Sequence, residues 1–472
     1  MNQNFEKLKE LLKTKKNIHF IGIGGVSMSG LANYLLHKGY KVTGSDKFNN
    51  DYCKKLSSYG AKIFIGHNEQ NIKDAEIIIY TAAVRNGNVE LEAAKEKGLP
   101  CFERAVLLGY LMTNYEYSVG VSGTHGKTTT TSLITCGLLE CNADPTAFIG
   151  GSIHNIKGNY RVGGGKVNVF EACEFVDSFL NFYPNIAVVL NVEEDHLDYF
   201  KNIENIKKSF KQYLKNTGNN GFAVICANNK NAMECALDYE GTAILFSMEE
   251  NALYKDMLPN CDHYFAKEIS LDENSMPSFK AYKNGEFICN ITLSVPGKHN
   301  VENALAAMAV CDIIGLDRKN FAKGLSNYTG AGRRFELVGY GKTGYKIYDD
   351  YAHHPSEIST MMEVVNKVKC NKFYVVVQPH TYTRTKLLFN EFVECLSKID
   401  NLILTKICAA REQDIYNIST LDLLKHLPNA VYCPEFEDVQ KYADEHLTKD
   451  DNIITMGCGD IYIAARMMAG KI

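Results

Sequence analysis

The chain has 472 residues, a formal net charge of −4, 45% hydrophobic and 22% charged residues. That is a globular balance, too long for one ordinary core and too acidic for a general nucleic-acid or membrane-surface partner. No stretch reaches the ~20 apolar residues that span a bilayer, and the lysine-rich N-terminus with Glu6 and Glu10 is no secretion signal, so a cytoplasmic protein is expected. The 15 cysteines contain no C-x-x-C pair and are expected to be small core residues, with no structural zinc site.

In chain order, residues 5–16 read as a lysine-rich helix and Asn17–Gly22 as a buried strand. The strand runs into Gly22-Ile-Gly-Gly-Val-Ser-Met-Ser-Gly, the glycine turn of a nucleotide-binding βαβ unit opening a helix to about His37. Ser27 stands where G-x-G-x-x-G has its third glycine, which favours a nucleotide diphosphate over a nicotinamide cofactor. A second strand ends at Asp46, about twenty residues on, where an acid commonly receives a ribose hydroxyl. Strands at 62–66 and 77–81 and helices near 88–98 and 103–113 complete a small open α/β sheet.

Residues 117–133 give a strand, a glycine-punctuated turn and a helix start: Tyr117-Ser-Val-Gly-Val-Ser-Gly-Thr-His-Gly-Lys-Thr-Thr. Gly123 and Gly126 let the backbone aim its N–H groups inward, Lys127 can reach outer phosphates, and the Thr128 hydroxyl suits magnesium. Val121 replaces the first glycine of the full phosphate-loop template, yet the strand before and the helix after make this an ATP site. A helix at 127–141, strands near 167–171, 186–191 and 221–226, and a helix at 203–215 follow; residues 240–295 read as irregular and β-rich. Pro296-Gly-Lys-His-Asn then turns into a helix with Asn300 and Asn303 on one face.

Glu171-Ala-Cys-Glu174 and Asp195-His196-Leu-Asp198 follow strands, where open α/β sheets bind ligands. A carboxylate and an imidazole facing a phosphate loop fit magnesium held partly by ATP oxygens. After Arg333-Arg334, a pair placed to clamp a phosphate as domains close, a third alternation has strands at 345–349, 372–378, 401–406 and 452–456 and helices near 356–368, 385–398 and 420–426. Its strand ends carry Asp349-Asp-Tyr-Ala-His353-His354-Pro and Gln378-Pro-His380-Thr-Tyr-Thr-Arg384; His380 and Arg384 can pair with a small carboxylate.

Taken together, these motifs resemble the Mur ligase family in order and over nearly the whole chain, through Gly457-Cys-Gly-Asp-Ile. The resemblance implies an α/β protein of three domains. These are a Rossmann-like UDP-sugar domain (1–114), a phosphate-loop ATPase-like central domain (115–330) and a Rossmann-like domain bringing the amino acid (331–472). The implied reaction joins L-alanine to the lactoyl carboxylate of UDP-N-acetylmuramate, with ATP as co-substrate and Mg2+ as cofactor, through an acyl phosphate in peptidoglycan synthesis. A monomer or weak homodimer is implied, acting on small molecules.

By resemblance, Gly22, Gly24, Gly25, Val26, Ser27, Met28, Ser29, Asp46 and His67 receive the UDP-sugar, and Gly123, Thr124, His125, Gly126, Lys127, Thr128, Thr129, Asn300, Asn303 and Arg333 receive ATP. Thr128, Glu174 and His196 hold the metal; Lys127, Glu174, His196, Arg333, Arg334 and His353 are catalytic; His354, His380 and Arg384 take the amino acid. Ser27, the Glu-Ala-Cys-Glu form of the acidic motif and Thr381 depart from many members. A ligase adding a whole tripeptide to the same sugar nucleotide, folylpolyglutamate synthetase, a dinucleotide-dependent oxidoreductase and a non-catalytic nucleotide-binding scaffold are the alternatives.

Overall fold

The computed structural model describes residues 3–81, 84, 87–410 and 412–472, with every side chain among them except that of Asp198. Three sheets follow one another along the chain. The first is fully parallel, with strands in the spatial order Lys62–Ile65, Lys41–Asp46, Asn17–Ile21, Ile77–Tyr80 and Cys101–Glu103. Its central strands are nearly continuous apolar runs because helices cover both faces. The chain order reverses around Asn17–Ile21, so the glycine turn after that strand lies at the switch point where such sheets bind ligands.

The central sheet has ten strands. Tyr117–Ser122, which leads into the phosphate loop, lies between Ile186–Val189 and Val167–Glu171, all parallel. The stretch 240–295 is β-rich as expected, and outside the turns and 3-10 segment of 248–261 its strands are regular. Thr242–Ser247 joins the sheet in parallel, and Asp262–Leu271, Pro277–Lys283 and Glu286–Thr292 extend it as an antiparallel meander. Strand Pro277–Lys283 alternates buried Phe279 and Ala281 with half-exposed Ser278 and Lys280. Its hairpin closes on Asn284-Gly285, both at positive φ (52° and 88°), the pair that a tight primed turn needs.

The third sheet has six strands, and its edge strand Glu336–Tyr340 runs antiparallel to Lys346–Asp350. The helix expected at 385–398 is two helices, Tyr382–Leu387 and Phe389–Leu396, separated by Leu388 in a non-helical conformation. The first helix starts early because the Thr381 hydroxyl caps it, accepting from Arg384 N.

The first unit is packed directly on the central one. Gly30 in helix Val26–His37 faces the hairpin Thr146–Arg161, and a Cβ there would stand 3.1 Å from Tyr160 and 3.2 Å from Phe148. Asn159 donates to the Val26 carbonyl at 3.1 Å, which ties that hairpin to the glycine turn.

Candidate active site

The first glycine turn is built tightly. Gly22 and Ile23 both donate to the Ser45 carbonyl, and Gly24 N donates to Asp46 Oδ2 at 2.9 Å. A Cβ on Gly24 would come within 2.9 Å of Asn50, Cys53 and Asp46. Asp46, expected to face a ribose, thus has one oxygen committed to the turn itself. Gly25 caps the helix beginning at Val26, whose side chain is exposed. Ser27 accepts from Arg104 Nη1 at 2.7 Å, a neighbour the sequence did not single out. Met28 and Ser29 are buried, and the Ser29 hydroxyl donates to the Val26 carbonyl, so these two side chains face the core and offer a ligand only backbone. His67 is held through Nδ1 by Ser45 (3.0 Å) and Glu90 (3.1 Å). Buried Glu90 also accepts from Asn71 and lies 3.8 Å from His19; despite burial these donors hold its carboxyl down at about 2.

In the second turn Gly126 has φ 85°, and its Cβ would stand 3.0 Å from Asn303 and Leu190. Asn191 fixes the loop from below: its side chain accepts from His125 N (2.7 Å) and its carbonyl from Thr124 N (3.1 Å). Nothing in the sequence pattern marked Asn191. Lys127 Nζ donates to both oxygens of Glu174 (3.1 and 3.0 Å) and to the Gly123 and Thr124 carbonyls. Burial lowers its pKa, but Glu174 outweighs that and raises it, so Lys127 is a cation. The Thr128 hydroxyl faces Glu171, whose carboxyl burial pushes up. Thr130 donates to Asn303, Asn303 to Asn300 (2.9 Å) and Asn300 to the Pro296 carbonyl (2.7 Å), so the two asparagines act as one braced unit. They line a 240 Å³ cavity with His125, Gly126 and Thr129.

A 1240 Å³ cleft opens beside it. Thr124, Lys127, Thr128, Glu174, Asp195 and His196 line it from the central domain, and Arg334, His353, His380 and Arg384 from the third. Among the described residues, none of the first glycine turn lines this cleft, and Tyr52 lines it from the first unit. His196 adopts φ 52° and rests against Phe175, with ring centroids 4.7 Å apart. The donor set of a threonine hydroxyl, a carboxylate and one imidazole fits magnesium when ATP oxygens supply the rest.

The arginine pair divides its work. Arg333 is committed to the third domain: Nε binds Asp349 at 2.9 Å, Nη1 and Nη2 bind the Gly459 and Gly457 carbonyls, and Tyr351 and Tyr462 flank it. Three of its five N–H groups are thus engaged within the third domain, although the residue also lines the cleft. Arg334 lines both cavities, with its guanidinium over Tyr351 at 5.1 Å and with Glu357, Asp350 and Glu171 as the surrounding charges. Burial raises Asp350 to about 6.

The double histidine also divides. His353 faces the cleft, its Nδ1 near the Tyr351 carbonyl (2.9 Å) and Glu357 (3.1 Å), and burial lowers it to about 4. His354, expected on the amino-acid side, lines neither cavity. It caps helix Pro355–Val365 and reaches the Glu194 carbonyl at 3.2 Å, placing it in the junction between central and third domains. His380, lowered by burial to about 4, lies 3.3 Å from Arg384. Arg384, expected to hold a substrate carboxylate, binds Asp195 of the central domain at 2.7 Å.

Three family models match in order: "Mur ligase family, catalytic domain" over residues 17–116, "Mur ligase middle domain" over 121–311 and "Mur ligase, glutamate ligase domain" over 333–459. The chain is 46% identical to a UDP-N-acetylmuramate–L-alanine ligase of Acetivibrio thermocellus, covering 96% of this chain and 95% of the relative. It is 43% identical to one of Caldanaerobacter subterraneus, covering 96% of each. Among solved structures, a UDP-N-acetylmuramate–alanine ligase of Thermotoga maritima superimposes with TM-score 0.78 at 26% identity, covering 96% of this chain and 98% of that one. With matches across all three units and such identity over nearly its full length, this chain belongs to the Mur ligase family.

Proposed function

We propose that the chain joins L-alanine to the lactoyl carboxylate of UDP-N-acetylmuramate with cleavage of ATP to ADP and phosphate, a step of peptidoglycan synthesis. The observation that carries this reading is the shared cleft. It puts the phosphate-loop cation, the acidic motif and the third-domain basic groups around one 1240 Å³ space, where the lactoyl carboxylate, the triphosphate tail and the amino acid can meet.

The reading assigns the parts as follows. The first domain (1–114) holds the UDP portion on the first helix amides, Val26–Met28, which the turn's own hydrogen bonds leave over, with Asp46 and His67 beside it. The central domain (115–330) holds ATP phosphates on Gly126–Thr129 and the nucleoside side near Asn300 and Asn303. A carboxylate oxygen attacks the γ-phosphorus and ADP leaves; the alanine nitrogen then attacks the acyl carbon and phosphate leaves. Lys127 and Arg334 neutralise the transferring phosphoryl group. Thr128, Glu174 and His196 would hold a magnesium ion, which supplies further charge neutralisation when bound. Ordering three substrates in one site removes much of the entropic barrier. The ammonium of alanine must lose a proton before attack. His353 and His380, both lowered by burial to about 4, are unprotonated at pH 7 and so able to accept a proton in the cleft, though as weak bases. The third domain (331–472) supplies these groups and carries the amino acid. Arg384 reaches its carboxylate by exchanging Asp195 for it. A cytoplasmic monomer or weak homodimer accords with this reading; among the described residues no helix is long and apolar enough to cross a membrane.

Carboxylate-labelled UDP-N-acetylmuramate tests the chemistry. With 18O in the lactoyl carboxylate, one labelled oxygen must appear in inorganic phosphate after a single turnover. Unlabelled phosphate would exclude the acyl phosphate and the reading with it.

A further inference from the structure

Three ligand groups converge where the central and third domains touch. A ring nitrogen of His125, a ring nitrogen of His354 and a carboxylate oxygen of Glu193 lie within 4.8 Å of one another. The Ser356 hydroxyl sits among them, 2.9 Å from His125 Nε2, 2.8 Å from His354 Nδ1 and 3.3 Å from Glu193 Oε2. The outward nitrogens are already held: His125 Nδ1 by Glu357 at 3.0 Å, and His354 Nε2 by the Glu194 carbonyl at 3.2 Å. A metal-ligating imidazole almost always gives its second nitrogen to a carboxylate or carbonyl, which decides which nitrogen faces the ion. Both histidines meet that condition, and both place their remaining nitrogen beside the Ser356 hydroxyl, His354 Nδ1 also accepting from Ser356 N at 3.3 Å.

The spacing agrees. His125 Nε2 and Glu193 Oε2 stand 3.3 Å apart, about the edge of a tetrahedron whose ligands lie ~2.0–2.1 Å from its centre. Two carboxylates flank His125, Glu193 at 3.3 Å and Glu357 at 3.0 Å, and give the point a negative surround.

We propose that His125, Glu193 and His354 form a binding site for a divalent transition metal of the Zn2+ class, with the Ser356 hydroxyl or a water as fourth ligand. Two imidazole nitrogens with one carboxylate suit Zn2+, Cu2+ or Ni2+ better than Mg2+, so the site differs in metal and in place from the oxygen-dominated magnesium set at Thr128, Glu174 and His196. Two ligands come from the central domain and one from the third, so a bound ion ties the phosphate loop to the third domain and holds the cleft in its closed arrangement.

The test uses the full chain, freed of metal by chelation, without nucleotide or magnesium. Co2+ serves as a coloured stand-in for Zn2+. One equivalent of visible ligand-field absorption, abolished by one equivalent of Zn2+, is expected. Glu193→Gln and His354→Asn each weaken Co2+ binding at least tenfold, whereas Glu174→Gln and His196→Asn leave it unchanged. Small-angle scattering should show Zn2+ narrowing the range of domain arrangements in the parent and not in Glu193→Gln. His354→Asn also loses a helix cap, so each variant's thermal midpoint is measured, and Glu193→Gln carries the conclusion if His354→Asn unfolds. Absence of the band overturns the site. Its survival in Glu193→Gln, or its loss in Glu174→Gln, assigns the metal elsewhere and overturns it equally.

Discussion

The molecule has two glycine turns at two strand ends, and they solve different problems. At Gly22–Ser29 the turn is satisfied by its own domain: Ser45 and Asp46 take its first amides, Arg104 takes Ser27, and no lysine follows. At Gly123–Thr128 the loop is fixed from the neighbouring strand by Asn191, and its lysine is set against Glu174 in the cleft. On the proposed reading the first holds a diphosphate that does not react. The second places a cation where charge moves. A glycine turn after a parallel strand therefore says "phosphate", and only the residues next to it say whether that phosphate is carried or transferred.

Lys127→Ala breaks this contrast most severely. It should lower kcat about a thousandfold while UDP-sugar affinity, followed by calorimetry, stays within a few-fold; loss of both in a folded protein would contradict the division. Next comes the arginine pair. Arg334→Lys, which keeps a charge beside Asp350 and Glu171, should lower kcat about a hundredfold at nearly unchanged thermal midpoint. Arg333→Ala, which leaves buried Asp349 unpaired, should cost about 3 kcal/mol in denaturant unfolding. Exchanged phenotypes would reverse the assignment. Gly24→Ala, whose Cβ meets Asn50, Cys53 and Asp46, should raise KM for the sugar nucleotide about tenfold, ~1.4 kcal/mol, with KM for ATP unmoved.

The smallest effect is pH-linked. His125 is raised from 6.5 to about 9 by Glu357 and Glu193, against burial. Its stabilising contribution is complete below pH 6.5 and is lost as pH rises through about 9, at most about 3 kcal/mol. The difference in thermal midpoint between parent and His125→Gln should shrink across that window, and a difference constant from pH 6 to 10 would refute the linkage.

The fold class and the phosphate loop were legible because their signals are local: apolar strand, glycine, lysine, hydroxyl. What the sequence hid depends on which way adjacent residues point. Arg333 and Arg334 are chemically identical, and they separate because Arg333 takes φ 61° and reaches carbonyls more than 120 residues away. His353 and His354 separate because one faces the cleft while the other caps a helix. Asn191 and Glu193 carry no motif and matter only through the strand end that presents them to His125. The meander at 262–292 was legible in principle, since Asn284-Gly285 is a hairpin signal. Its half-exposed lysines masked the alternation of the buried face.

The central claim is that this cleft couples three substrates, and phosphate release measures that directly. ATP and magnesium are supplied with UDP-N-acetylmuramate, and L-alanine, glycine, L-serine or the tripeptide is added in turn. Release that requires both the sugar nucleotide and L-alanine is the expected result. Release with the tripeptide alone, or none despite bound nucleotide, would contradict it.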